Sequence, residues 1–165
     1  MRRLAGVLVA SLTLIRAQSP VVEEKPPPPQ PIPFSHKAHA AAALKCLDCH
    51  SIRKPGFAAG YPREDTCMAC HVSIKAATPA VRKLAEYHRN RRPVPWVKIY
   101  RLPDYVWFSH QSHHQEAGVG CEVCHGPVAE REVITKEKPT SMASCMDCHA
   151  ARAAPNECNF CHETR

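Results

Sequence analysis

The chain is short of what an ordinary protein core needs. Aromatic residues make up 6% of its 165 positions. Beyond the N-terminal segment, only Phe34, Phe57, Phe108, Phe160, two tryptophans and scattered aliphatics can fill an interior. A conventional globular core of that size is therefore excluded. Long apolar runs are also missing. The longest, Leu4 to Ile15, has 12 residues, well below the roughly 20 that a membrane-crossing helix takes. Aromatic and basic residues do not alternate as they do in single-strand nucleic-acid grooves, so the pI of 9.0 gives no reason to expect nucleic acid. No cysteine stands alone, and none follows the N-terminal apolar stretch, which leaves no site for a lipid-modified cysteine.

All ten cysteines fall in five copies of Cys-x-x-Cys-His: Cys46/Cys49/His50, Cys67/Cys70/His71, Cys121/Cys124/His125, Cys145/Cys148/His149 and Cys158/Cys161/His162. This spacing is the attachment pattern of c-type haem. Two intervening residues set the thiols about one helical turn apart, as two vinyl groups require, and the next residue presents an imidazole to the iron. Structural zinc and disulfide frameworks also use paired cysteines. Neither needs a histidine after every second one, and five such placements by chance have odds of roughly one in a million against the motif expectation. A thioredoxin-like site would be one motif beside a βαβ pattern. The sequence thus predicts five haem c groups, each bound by two cysteines and a proximal histidine.

Arg2 and Arg3 followed by the apolar stretch read as a secretory signal, residues 1–17, with cleavage near Ala17. Residues 18–33, holding Pro20, Pro26 to Pro29, Pro31 and Pro33, read as an extended tether. The folded domain is expected over residues 34–165, in the periplasm, with no membrane span in the mature chain. Without Arg2, Arg3 and Arg16 the formal excess of positive charge falls from seven to four, and haem propionates would turn it negative. Five haems leave few residues for each, so the porphyrins must supply much of the core. The apoprotein is expected to be largely unfolded, as in small domains whose cofactor binding is coupled to folding.

Six histidines lie outside the motifs: His36, His39, His88, His110, His113 and His114. Phe34-Ser-His36-x-x-His39 precedes Cys46, and Phe108-Ser-His110-x-x-His113 recurs 74 residues later, ahead of Cys121. This internal repeat places two imidazoles on one face, one for the following haem and one for a neighbour. His36, His39, His110 and His113 are therefore read as distal ligands. For the fifth, His88 is favoured because it continues the stripe Val81, Leu84, Ala85 in a helix starting at Thr78-Pro79 and stopped by Pro93. His114 and Met142 are the alternatives. Ala38 to Leu47 is Ala-rich and is expected to be one helix delivering Cys46. Val94 to Leu102 is expected to be extended, since Pro93, Pro95 and Pro103 forbid a long helix.

Phe34-Ser-His36-x-x-His39 with Cys46-x-x-Cys49-His50 resembles the small multihaem cytochromes of the c3 and c7 type. The resemblance spans roughly residues 34–165. It implies a small, mostly irregular fold with short α-helices, packed around haems, that moves electrons in the periplasm, with His36 serving the first haem and His39 another. A narrower likeness runs through Trp96-Val97-Lys98-Ile99-Tyr100-Arg101-Leu102-Pro103-Asp104, Phe108 to His113, Gly118 to Cys121, Cys124 to Val128 and Ser141-Met142. These segments are similar to the pentahaem subunit of alternative complex III. That similarity implies redox protein partners and a membrane quinone-linked complex; some members of the group carry His where this chain has Tyr100, and a membrane helix this chain lacks. The expected role is electron transfer rather than catalysis. A multihaem reductase of a small oxyanion is the rival from the enzyme class, and it would need one haem with an open position.

Overall fold

The computed structural model describes residues 26–162. The expected signal segment and the first part of the Pro-rich stretch lie outside the described residues. Seven short α-helices follow in chain order: α1 His36–Ala41, α2 Cys46–Cys49, α3 Glu64–His71, α4 Pro79–Arg89, α5 Cys121–His125, α6 Met142–Ala151 and α7 Cys158–Cys161. A π-helical turn, Gln111–Glu116, and a 3-10 turn, Val128–Glu130, complete the regular structure. Among the described residues there is no sheet, only two isolated bridges, Ile52 to Ala59 and Val106 to His162. The fold is mostly irregular with short helices, as expected. No helix of the described residues is long and apolar enough to cross a membrane.

Local chemistry sets the helix boundaries. Ser35 caps α1 by accepting from the Ala38 N–H at 2.9 Å. Thr78 caps α4, Pro79 occupies its first turn, and the stripe Val81 and Leu84 is buried. Ser141 and Ser144 cap each other's backbone at the start of α6. The three helices end alike. In α1, Leu44 N–H returns to His39 and Ala43 N–H to Ala40, with Ala43 left-handed at φ 64°. Arg91 (φ 50°) after α4 and Ala153 (φ 51°) after α6 repeat the pattern. This is the Schellman ending, where glycine usually sits.

The ending of α1 corrects one expectation. Ala38 to Leu47 is not a single helix. The left-handed turn at Ala43 breaks it, and Cys46 begins a new one-turn helix capped by Lys45 and Asp48. High alanine content favours helix but does not fix its end; His39 marks it, because its carbonyl accepts from the Leu44 N–H, while its ring Nδ1 donates to the Ser35 carbonyl at the helix start. The folded body also starts before Phe34. Gln30 exchanges two hydrogen bonds with the Val97 backbone, at 2.9 and 3.0 Å, and Ile32 is buried.

The apolar core is small. Ile32, Leu84 and Val94 form it, with Cys67, Met68, Ala80, Tyr87 and Trp96 around them. Val81 is the one further buried apolar side chain among the described residues. By contrast Leu44, Leu47, Phe57, Tyr105, Trp107 and Phe160 are exposed. Leu44, Leu47 and Phe160 lie inside a Cys-x-x-Cys-His motif or within two residues of one. A polypeptide of this size with so little of its own interior fits porphyrin faces as the missing core material.

Candidate haem-binding site

Each motif is helical. In α2, α5 and α7 it is the helix itself, and in α3 and α6 it forms part of a longer one. All ten thiols are free. Among the described residues, no three His, Cys, Asp or Glu side chains converge into a metal cage. The imidazoles converge in twos instead. His36 and His50 are parallel within 9° with ring centres 6.4 Å apart. His110 and His125 repeat this at 5° and 6.4 Å. His39 meets His71 at 6.1 Å, and His113 meets His149 at 5.9 Å. Metal–imidazole bonds of about 2.0–2.1 Å, plus about 1.2 Å from each nitrogen to its ring centre, set two trans ligands about 6.4 Å apart. The four pairs have the spacing of axial ligands on opposite sides of one iron.

The tautomers agree. A backbone carbonyl can only accept, so a ring nitrogen bonded to one carries the proton and leaves Nε2 as the free donor of a lone pair. Nδ1 donates from His39 to Ser35 (2.7 Å), His50 to Gly60 (2.8 Å), His71 to Ile74 (2.9 Å), His113 to Ser109 (2.8 Å) and His162 to Tyr105 (3.1 Å). His149 donates likewise to Pro155. Such outer contacts orient a ligating ring and raise its basicity. In His36 and His110, Nδ1 is buried without a partner. Burial lowers the pKa of His36 to about 4, with the nearby His50 and His39 adding to the effect. Burial likewise lowers His110, and it lowers His125 with help from His110 and His50. All three rings are kept neutral, the form that binds a metal.

The two halves are built alike. Phe34 lies edge-on to His36 (4.8 Å) and stacks on His39 (4.4 Å). Phe108 does the same to His110 (4.8 Å) and His113 (4.5 Å). The phenylalanine is thus a wedge that fixes the angle between two imidazoles. Its place at the head of both repeats was the signal for this role, which sequence reasoning assigned to core filling. Sequence reasoning also missed Tyr100. Its ring stands edge-on to His125 at 4.6 Å, and its hydroxyl accepts from the N–H groups of Glu137 (3.1 Å) and Lys138 (3.3 Å). Gly126 follows His125 at φ 73°, and a Cβ there would come within 3.0 Å of the Glu137 carboxylate.

The remaining candidates sit apart from these pairs. His88 is on α4 with Nδ1 3.0 Å from Asp65 Oδ1, close but out of line for a hydrogen bond. It faces a cleft with Arg63, Glu64, Arg91 and Pro93. His114 donates from Nδ1 to Val119 at 2.9 Å. Met142 opens α6 and is exposed. His162 faces the Tyr105 ring at 5.9 Å.

The ten motif cysteines differ in exposure: Cys46, Cys70, Cys145 and Cys158 are exposed while the other six are half-buried. Cys67 packs beside the Leu84 cluster, but its motif partner Cys70 stands in the open on the last turn of α3. The chain that follows folds back onto the Cys70 carbonyl, which accepts from the Ser73 and Ile74 N–H groups at 3.2 and 2.9 Å. That turn covers the backbone and leaves the side chain uncovered. The assignment of Cys70 to the second haem follows from its spacing from Cys67 and His71.

Other thiols show which motifs are neighbours. Burial raises the pKa of Cys67, and the nearby Cys49 raises it further. Burial and then Cys46 raise Cys121. Burial and then Cys148 raise Cys124, and burial, Cys161 and Cys124 raise Cys145. In space the motifs run second, first, third, fourth, fifth. The exposure of Cys70 agrees with the second motif standing at one end of that row.

Two family models match the chain: the class III cytochrome c family over residues 13–94, and cytochrome c7 and related cytochromes c over residues 106–163. The chain is also similar to the menaquinone reductase multihaem cytochrome c subunit of Nitratidesulfovibrio vulgaris. The identity is 32%, covering 81% of this chain and 77% of that protein. The repeated Phe-Ser-His-x-x-His segments, the motif helices and these matches agree: the chain belongs to the class III and c7 type of multihaem cytochromes c, which carry electrons on several covalently held haems.

Proposed function

We infer that this chain is an exported pentahaem relay serving as the electron-transfer subunit of a membrane quinone-linked complex. The observation that carries the relay is the set of four imidazole pairs at axial-ligand spacing. His36 with His50, His39 with His71, His110 with His125 and His113 with His149 would each hold one haem, and His162 the fifth. The cysteines of each motif would form its thioether links. Haem iron supplies one-electron redox chemistry. The chain's residues fix each ring's tautomer, keep the ligating imidazoles neutral and set the motifs in a row. His39 reaches from α1 to the second motif while His36 stays with the first, so one helix spans two neighbouring sites, and the second repeat joins the third and fourth sites in the same way.

Support for the complex comes from the relative, whose name makes it a subunit of a menaquinone reductase and which this chain matches along most of both lengths. Eight of the eleven histidines fall in the four pairs, which favours a carrier over an oxyanion reductase. The test is purification from native membranes. Mild solubilisation should bring the chain out with partner subunits, exported, with five haems by intact mass, and reducible by a menaquinol analogue. Recovery as a free, single-chain protein that no quinol reduces would contradict membership of the complex while leaving the relay intact.

A further inference from the structure

We propose that the outer face of α4, with the turn that follows it, is the docking surface for an acidic redox protein that exchanges electrons with the haem bound by Cys67, Cys70 and His71. This deepens the relay reading above and rests on it. Within α4, Val81 and Leu84 are buried while Arg82, Lys83 and Arg89 are exposed. Arg82 and Arg89 are two turns apart and Lys83 lies beside them, so three cations share the outer side. Arg91 and Arg92, in the turn after the helix, are exposed too.

The chain itself does not neutralise this face. From Lys75 to Lys98 it holds seven Lys and Arg against one carboxylate, Glu86. Among the described residues, no ion pair takes a cation from this stretch. Nor does the helix explain the charges. A helix favours carboxylates in its first turn and cations in its last. Arg89 meets that preference, but Arg82 and Lys83 stand near the start of α4, whose first turn has no acidic residue. The excess is also local. Residues 116–157, which carry the third and fourth motifs, hold seven carboxylates against four Lys and Arg.

The position of α4 decides what this charge serves. Its inner side packs on α3, where Leu84 meets Cys67 and Met68 of the second motif. At its far end Arg91 shares a cleft with Arg63, Glu64 and His88, and Glu64 is three residues before Cys67. The cationic surface therefore reaches the start of the helix that carries the second motif. A protein whose carboxylates surround its own redox centre is steered to such a face by complementary charge and arrives beside that haem. A lipid surface fits less well. A helix that lies in a membrane interface buries its apolar side among the headgroups, whereas α4 turns Val81 and Leu84 inward.

The full-length holoprotein is first counted for haem by intact mass. Haem reduction is then followed by stopped-flow absorption with two photoreduced donors: flavodoxin, an acidic protein, and lumiflavin, a small neutral flavin. Reduction of the wild type by flavodoxin should slow steeply as salt rises, because screening removes the attraction. At low salt, Arg82→Glu with Arg89→Glu should slow it by roughly tenfold or more and flatten the salt dependence, while lumiflavin reduces the variant as fast as the wild type. Arg82→Gln with Arg89→Gln should show a smaller loss in the same direction. Lys136→Glu with Arg152→Glu makes the same change in net charge within residues 116–157 and should leave the flavodoxin rate nearly unchanged. Equal slowing by both glutamate pairs, equal slowing with lumiflavin, or a flavodoxin rate indifferent to Arg82 and Arg89 overturns the proposal. So does a glutamate variant of Arg82 and Arg89 that loses sedimentation with phosphatidylglycerol vesicles but keeps its flavodoxin rate. A haem count below five overturns instead the reading on which it rests.

Discussion

His36 and His110 are the imidazoles on which the ligand scheme is most exposed to test, because each is held by burial and a phenylalanine wedge without any hydrogen bond to Nδ1. Changing either to Ala should leave the haem count intact and convert one haem to a high-spin form that binds carbon monoxide, read from the visible spectrum. Their acid sensitivity follows from the direction of the shift. A pKa lowered from 6.5 to about 4 keeps His36 neutral as pH falls past the ordinary histidine range. Stability linked to this group is complete above pH 6.5 and drains as pH falls toward the folded value, because the unfolded chain takes up the proton first. Tyr100→Phe removes the acceptor of two backbone N–H groups and should cost about 1 kcal/mol in holoprotein unfolding. At this scale the sequence was most informative. The motif cysteines and histidines were legible because thioether chemistry fixes their spacing. The unequal setting of the cysteines was not, because Cys67 packs beside the Leu84 cluster while Cys70, one turn on, is exposed. Tyr100 was not legible either, since its partners Glu137 and Lys138 lie far along the chain.

Elements are shaped here by endings more than by propensity. Ala43 in a left-handed turn costs about 1–2 kcal/mol that glycine would not incur. Ala43→Gly should thus raise the unfolding midpoint of the holoprotein, offset in part by the greater freedom of an unfolded glycine. Gly56 is the opposite case. It sits at φ 78°, and a Cβ there would meet Gln111 Cβ at 2.6 Å and its backbone nitrogen at 2.8 Å. Its carbonyl also accepts from His110 N–H. Gly56→Ala should destabilise by more than about 1 kcal/mol and disturb the spectrum of the haem that His110 serves. The helix at Pro79–Arg89 was legible from Thr78-Pro79, the Val81 and Leu84 stripe and the stop before Pro93. The break at Ala43 was not, because nothing in an alanine run marks where its carbonyls will be capped from beyond it.

For the whole molecule, the missing core is the organising fact. Three buried side chains and their neighbours make one small cluster, while apolar groups near the motifs stay uncovered. The protein without haem should accordingly lack fixed tertiary structure, seen as lost near-ultraviolet circular dichroism when maturation is blocked. The scarcity of aromatics and the number of motifs made this legible from composition. The spatial order of the motifs was not legible, since second beside first beside third depends on α1 reaching across to the second motif and on Lys37 bonding Arg131 across the two halves. The same long-range folding decided that Gln30 and Ile32 belong to the body rather than the tether.

Intact mass of the purified protein, taken with its ferric and ferrous spectra, tests the central claim most directly. The account predicts five covalently attached haems and low-spin spectra throughout. Colourless material whose thiols hold zinc or are joined as disulfides would contradict it.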